Sequence, residues 1–303
     1  MTGGAGFIGS NIVEELVNEG ERVRVLDNLS TGKRENIQHF IDHIEFIEGD
    51  IRDLDIVGKA ISGVDFVLHQ AALPSVPRSI NDPIATNEVN VNATLNVLVA
   101  AKGAGVKRVI YASSSSIYGN SKILPKREDM PANPISPYAV SKLAGENYCR
   151  VFYEIYGLET VCLRYFNVFG PRQDPTSQYS AVIPKFINAI LNGKRPTIYG
   201  DGLQSRDFTF VANVVQANLL ACKVDGVAGE LFNVACGEQH TVLDLVAGLN
   251  EILDKEAEPI FAEPRKGDVK NSMADISKAQ RLLGYNRTHS FRSGLEKTIA
   301  WYQ

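Results

Sequence analysis

The sequence predicts an α/β protein: a Rossmann-type doubly wound parallel sheet followed by a smaller C-terminal α/β substrate domain. Three observations lead there. Short apolar runs alternate with helical patterns through the first half, the signature of strands joined by crossover helices. The chain opens MTGGAGFIGS, with glycines three apart ahead of a helical stretch. After Phe169 the texture changes at the polar, turn-rich GPRQDPTSQYS, and helices then mix with short strands.

Taken in order, the expected strands are Val23 to Asp27, Ile44 to Asp50, Val64 to Ala72, Lys107 to Ser115 and Glu159 to Val168. Between them lie helical stretches at Asn11 to Asn18, Asp53 to Ala60, Ala85 to Lys102 and Pro137 to Tyr156. Later helices are expected at Val182 to Leu191, Val211 to Ala221, Val242 to Ile252, Ile276 to Leu283 and Phe291 to Trp301. Short strands fall near Thr197 to Tyr199, Leu231 to Val234 and Pro259 to Ala262. The division is residues 1–165 and 166–303, with part of about 207–236 packing back on the first domain. One element is missing. A glycine loop of this kind follows a central strand, yet only Met1 and Thr2 precede it. Either the true start lies upstream, or these two residues form a stub.

A length of 303 residues supports a sizeable core. Net charge of −4 and pI near 5.8 exclude a nucleic-acid surface or a basic membrane face. No stretch has the length of a membrane span. Cys149, Cys162, Cys222 and Cys236 are far apart in apolar contexts, and the histidines lack metal-ligand spacing. They read as reduced core residues of a cytoplasmic protein without a bound metal.

Glycines three apart permit a tight turn, close backbone approach to phosphate and close helix packing. The following helix amino terminus offers unpaired N–H groups and partial positive charge to a pyrophosphate. Three spaced glycines alone also fit a structural turn. Asp27, about twenty residues on, adds a carboxylate for ribose hydroxyls that repels a 2'-phosphate, which favours NAD. Asp27 as a turn or capping residue is the competing reading. Asp50 and Ile51 end the next strand near an adenine position, and a loop-capping role suits Asp50 equally well. Gln70, Ala71 and Ala72 are small enough on average to let a cofactor approach, or merely to pack.

Tyr138 and Lys142 in SPYAVSK stand four apart and share one helix face. A phenol is a poor base at neutral pH. A nearby ammonium and an oxidised nicotinamide would favour the phenolate. Each pKa unit is worth about 1.4 kcal/mol, so a large shift needs close, partly dry charges. The serines of YASSSSIYG sit at a strand's carboxyl end, where a hydroxyl can share the proton of a substrate hydroxyl. Each piece alone occurs by chance; the ordered conjunction is far more specific.

That conjunction resembles the extended short-chain dehydrogenase/reductase family. TGGAGFIGS, Asp27, Asp50-Ile51, YASSSSIYG, Tyr138 to Lys142 and RYFNVFGPRQDP carry the likeness. Within the family the chain is most similar to nucleotide-sugar 4-epimerases, also in YGDGLQSRDF and PRKGDVKNSMADISKA. The resemblance implies an NAD site at Gly3, Gly6, Phe7, Ile8, Gly9, Asp27, Asn28, Asp50, Ile51, Gln70, Ala71 and Ala72, with Tyr138 and Lys142. It implies Tyr138 as base, Lys142 as its tuner and ribose anchor, and Ser114 as the adjoining hydroxyl. Ser115 and Ser116 fall near the sugar, and Asn167, Arg206, Arg265 and Asp268 would hold the UDP. Read without the family, Arg206 would pair with adjacent Asp207, and Arg265 with Asp268 would form a solvated pair.

The resemblance implies a UDP-sugar substrate and inversion at C4 through a transient 4-keto sugar, with NAD retained because net redox is zero. Dehydratase relatives carry Asp-Glu where this chain has Ser115 and Ser116, and decarboxylating relatives use a glutamate absent here. The position that limits the sugar's 2-substituent aligns with Ser272. A small residue there favours UDP-N-acetylglucosamine and UDP-N-acetylgalactosamine, with the unacetylated pair also admitted. PSVPRS (Pro74 to Ser79) resembles the acetamido-sugar subgroup as well. Alternatives are an inert nucleotide-sugar-binding protein or a net oxidoreductase of the same family. The helices at Ala85 to Lys102 and Pro137 to Tyr156 are the family's usual homodimer contact, though their apolar faces equally suit packing on the sheet.

Overall fold

The structure is a computed structural model that describes residues 1–175, 182–264 and 270–303. The first half runs α1 (Phe7–Asn18), β1 (Val23–Asp27), β2 (Ile44–Glu48), α2 (Leu54–Ile61), β3 (Phe66–His69), α3 (Val76–Asn81), α4 (Pro83–Asn87), α5 (Ala93–Gly103), β4 (Arg108–Ser114), α6 (Pro137–Tyr156) and β5 (Glu159–Tyr165). The second continues with β6 (Val168–Phe169), α7 (Val182–Leu191), β7 (Thr197–Tyr199), β8 (Ser205–Arg206), β9 (Thr209–Phe210), α8 (Val211–Lys223), β10 (Leu231–Val234), β11 (His240–Thr241), α9 (Val242–Leu253), β12 (Ile260–Ala262) and α10 (Phe291–Tyr302).

Strands β1 and β2 form one parallel pair, and β3, β4, β5 and β10 form a second parallel group. Met1 and Thr2 are the stub that joins them. Thr2 bridges Leu26 on one side and His69 on the other, both in parallel sense. Its N–H donates to the Leu68 carbonyl at 3.1 Å, and its carbonyl accepts from Gln70 at 3.2 Å. Opposite, Gly3 N–H donates to Leu26 at 2.9 Å, and Leu26 N–H donates to Met1 at 2.9 Å. The order across the sheet is therefore β2-β1-stub-β3-β4-β5-β10.

Both faces are covered, as the continuous apolar strands require. Ile12 of α1 and Val214, Ala217 and Leu219 of α8 pack with Ile110, Val161 and Phe232 on one face. Val57 of α2, Val97 and Leu98 of α5 and Phe152 of α6 pack with Val67 and Val109 on the other. Residues 211–234 thus belong physically to the first sheet. A separate core unites Phe169, Phe186 and Ile187 of α7, Leu245 of α9 and Leu295 of α10.

Local chemistry accounts for the departures from the expected elements. α1 starts four residues earlier than Asn11, directly after Gly6. The stretch from Ala85 to Lys102 is broken by a π-helical turn at Glu88–Asn92, a form of helix that concentrates at functional sites. The strand expected through Val168 splits at Asn167, whose φ of 32° lies outside strand geometry. Residues expected to be helical up to Leu283 end in a second π turn, Ala279–Leu283. α3 and the two-residue strands escape a periodicity search because they are too short to establish a period.

His69 fixes the stub from behind. Its Nδ1 lies 2.7 Å from Thr2 Oγ1 and its Nε2 lies 2.9 Å from Thr94 Oγ1 on α5. Burial, with the Lys142 charge adding, holds its pKa down to about 3. Between pH 3 and 6.5 the unfolded chain therefore binds more protons than the native one, and stability rises with pH across that window. Acidifying from pH 6.5 to 5 should cost about 2 kcal/mol through this residue. Denaturant titrations at several pH values should show that His69→Gln removes that part of the slope. Parallel slopes for the two proteins would assign the acid sensitivity elsewhere.

Candidate active site

The glycine loop is shaped by backbone crowding. Gly3 has φ +70°, and a Cβ there would meet Ala71 N at 2.6 Å; at Gly9 it would meet Gly3 O at 2.0 Å. Glycine alone lets α1 approach the sheet this closely. Gly6 caps α1 without any side-chain bond, and the first turn carries no acid. The amino-terminal N–H groups of Phe7, Ile8 and Gly9 therefore have neither an intrahelical nor a side-chain partner among the described residues. These residues line a cavity of about 410 Å³. Its donors and partial positive charge suit a pyrophosphate.

The other residues expected to hold the dinucleotide line that same cavity: Asp27 and Asn28, Asp50 and Ile51, and Gln70, Ala71 and Ala72. Asp27 is both a turn residue and a cavity residue. Its two oxygens accept the N–H groups of Ala5 and Leu29, each at 2.9 Å. Burial raises its carboxyl pKa against those two bonds. A carboxylate has about four acceptor sites, so lone pairs remain for a diol. Asp50 accepts both Nε and Nη2 of Arg52, at 3.0 and 2.8 Å, and Asn28 Nδ2 at 2.9 Å. The Arg52 guanidinium holds its pKa down to about 2. Arg52 itself lines the cavity; sequence reasoning passed over it.

At the cavity's far end stand Tyr138 and Lys142. Pro137 at the first position and the Ser136 hydroxyl, accepting from Ala139 N–H, start α6. Gly145 lets α6 lie against β4, since a Cβ there would meet the Tyr111 hydroxyl at 2.2 Å. Lys142 is buried, and its Nζ donates to the Ala112 carbonyl at 2.8 Å. Burial pushes its pKa down to about 8. Burial raises the Tyr138 phenol, while a hydrogen bond with Ser114 works the other way.

Asn90, on the π turn, was invisible in the sequence. Its Oδ1 accepts Leu73 N–H at 2.8 Å, and its Nδ2 donates to Leu73 O and to Ser141 Oγ, each at 3.1 Å. Ser141 Oγ donates to the Tyr138 carbonyl at 2.8 Å. One buried amide thus ties the loop after Gln70 to the turn that bears Tyr138 and Lys142.

A second cavity, also about 410 Å³, is lined by Ser114, Ser115, Ser116, Asn167, Arg206 and Ser272, and shares Tyr165 with the first. Ser116 Oγ is buried with no hydrogen-bond partner among the described residues. A third, of about 270 Å³, shares Asn167 and Arg206 with the second and adds Lys185, Phe186 and Tyr199. Arg206 does not pair with its neighbour. Its Nη1 donates to the carbonyls of Ser205 and Lys270, at 2.9 and 3.2 Å. Asp207 instead accepts the N–H groups of Cys236, Gly237 and Ala274 at 2.9, 3.0 and 3.1 Å. Arg265 and Asp268 lie outside the described residues.

Beyond Asn167 the chain is strapped to α1 and the loop after β1. Asn11 Nδ2 donates to Pro171 O at 3.2 Å, Arg172 Nη2 to Glu14 at 2.6 Å, and Lys33 pairs with Asp174 at 2.8 Å. The Tyr302 hydroxyl of α10 donates to the Gln173 carbonyl.

Residues 1–235 match the NAD dependent epimerase/dehydratase family. The chain belongs to that family. A putative UDP-glucose 4-epimerase of Methanocaldococcus jannaschii is 38% identical, over 99% of this chain and 97% of that protein. A UDP-N-acetylglucosamine 4-epimerase of Methanobrevibacter ruminantium, solved with UDP-N-acetylmuramic acid, superposes with TM-score 0.95 at 42% identity, covering 99% of this chain and 96% of that one. The UDP-glucose 4-epimerase of Thermotoga maritima, solved with UDP-glucose, gives TM-score 0.94 at 38% identity, with 99% and 97% covered. A family named for NAD accords with the first cavity: helix amino-terminal donors at one end, the acids Asp27 and Asp50 along it, and Tyr138 and Lys142 lining the other.

Lys142 supplies a test. Its native pKa of about 8 lies below the ordinary 10.5. Between those values the unfolded chain holds the extra proton, so ligand-free stability should rise with pH from about 8 to 10.5. At pH 7 the buried ammonium costs about 3 kcal/mol, against about 1 kcal/mol returned by its bond to Ala112. Lys142→Met should therefore stabilise the ligand-free protein at pH 7 by about 2 kcal/mol in denaturant unfolding. Equal or lower stability would show that the ammonium is not a strained group.

Proposed function

We propose that this family member is an NAD-dependent UDP-hexose 4-epimerase acting on UDP-N-acetylglucosamine and UDP-N-acetylgalactosamine, with the unacetylated pair as further substrates. The observation that carries it is a set of three cavities that share lining residues. The first and second share Tyr165, and the second and third share Asn167 and Arg206. One ligand held at its diphosphate end can thus present a hexose to Tyr138.

Phe7, Ile8 and Gly9 hold the cofactor's pyrophosphate, Asp27 and Asn28 its adenosine ribose, and Asp50 and Ile51 its adenine; Gln70, Ala71 and Ala72 leave it room. NAD held there would supply a reversible hydride acceptor for C4. Tyr138 takes and gives back the proton of the 4-hydroxyl, with Ser114 sharing that proton. Lys142 would anchor the ribose and, as a cation, favour the phenolate. Arg206 and Asn167 grip the diphosphate, since a guanidinium fork matches phosphate oxygens. Arg265 and Asp268 are assigned to the same end. Ser115, Ser116 and Ser272 line the space in which the sugar turns over, and the short Ser272 side chain leaves room for an acetamido group.

In this reading residues 1–165 form the dinucleotide half and 166–303 the nucleotide-sugar half, with part of about 207–236 packing back on the first. Exposed Val99 on α5 and Val140 on α6 support a homodimer through these helices. Four free cysteines accord with a cytoplasmic enzyme.

Two measurements test the reading. Protein given UDP-N-acetylglucosamine and no added NAD should form the C4 epimer, and Tyr138→Phe should lower kcat by about 10²- to 10⁴-fold. Unchanged substrate, or full activity in the phenylalanine variant, would end the assignment. Ser272→Tyr should lower kcat/KM for the acetylated sugar about 10- to 100-fold relative to UDP-glucose, the scale of an overpacked site. Equal loss for both sugars would refute the steric role of Ser272.

A further inference from the structure

The segment Lys270 to Ser272 is clipped to Ser205 by three bonds. Ser205 N–H donates to Lys270 O at 3.0 Å, and Ser272 N–H donates to Ser205 O at 3.1 Å. The third is side chain to side chain: Ser205 Oγ donates to Asn271 Oδ1 at 3.0 Å. Gln239 Nε2 donates in turn to Ser205 Oγ at 3.2 Å. The Ser205 hydroxyl has one proton, and Gln239 occupies one of its lone pairs, so the relay runs in a single direction. It ends by consuming the oxygen of the Asn271 amide.

That leaves Asn271 Nδ2, a double donor, without a hydrogen-bond partner among the described residues. Asn271 and Ser272 both line the sugar cavity. A donor that is held in orientation by its own oxygen, at the wall of a sugar site, suits a carbonyl acceptor on the ligand. We infer that Asn271 is a second specificity-determining residue, which donates from Nδ2 to the acyl oxygen of a 2-acylamino hexose. This rests on the reading that Ser272 borders the sugar's 2-substituent.

Reach supplies the discrimination. An acyl oxygen stands two bonds further from the ring than a 2-hydroxyl oxygen does. The space left by Ser272 lets the acyl group extend to the wall, whereas a hydroxyl falls short of it. Ser272 would admit the larger group by making room, and Asn271 would reward it with a hydrogen bond. Size tolerance alone gives weak selectivity, while a bond made to only one of two ligands adds to it.

Equilibrium binding to the NAD-loaded protein separates this role from catalysis. Calorimetric Kd values for UDP-N-acetylglucosamine and UDP-glucose should be measured for the unaltered protein, Asn271→Ala and Asn271→Asp. The ratio of the two Kd values should shift about tenfold against the acetylated sugar in Asn271→Ala, the size of one neutral hydrogen bond. Asn271→Asp keeps the shape but loses the donor, and should shift the ratio at least as far. UDP-glucose in the same samples controls for general damage to the site. A ratio within twofold of the unaltered protein in either variant overturns the inference. If the shift appears but the unaltered protein forms no C4 epimer, the binding role stands and the proposed reaction falls.

Discussion

Thr2 belongs to two strands at once, and the cavity at the glycine loop follows from that. Its main chain is bonded toward β3 and its neighbours Met1 and Gly3 toward β1, so the two halves of the sheet are held at a fixed separation. The glycine loop leaves the sheet from that point. Its turn can close only because Gly3 and Gly9 have no side chains to collide with Ala71 and with each other. His69 then carries the constraint outward to Thr94 on α5. The donors at the start of α1 are therefore aimed by the sheet rather than by any contact of their own.

A second theme is the use of buried single groups to join distant stretches. Asn90 joins the cofactor loop to the turn of Tyr138. Asp207 collects N–H groups from Cys236, Gly237 and Ala274, which places β8, with Arg206, against the segment that bears Ser272. Burial raises the Asp207 carboxyl to about 6 in spite of those three donors. Such groups are costly when unpaired, which makes each an all-or-none fastening.

Legibility in the sequence divides along the same line. The loop Gly3 to Gly9, the helix from Pro137 and the pair Tyr138–Lys142 were readable because spacing along one element fixes their geometry. Strand ends and their acids were readable because a parallel sheet brings successive carboxyl ends together. Asn90 and Asp207 were not, since a lone Asn or Asp carries no periodic signal and its meaning lies in partners dozens of residues away. Adjacency alone would have paired Arg206 with Asp207, whereas Asp207 is taken up by three backbone N–H groups. Burial is the largest influence on both Tyr138 and Lys142, raising the phenol and lowering the ammonium, and no spacing in the sequence announces burial.

The crossing between the two halves has a consequence for how such a fold diversifies. Asn167, Gly170 and Arg172 all hold positive φ, and a Cβ on Gly170 would strike Val211 at 2.5 Å. The path from β5 to the strapped residues 171–174 is therefore a contorted one in which length and composition are scarcely negotiable. The wall of the second cavity at Ser115, Ser116, Asn271 and Ser272 carries no such backbone constraint, since none of these four residues holds a positive φ.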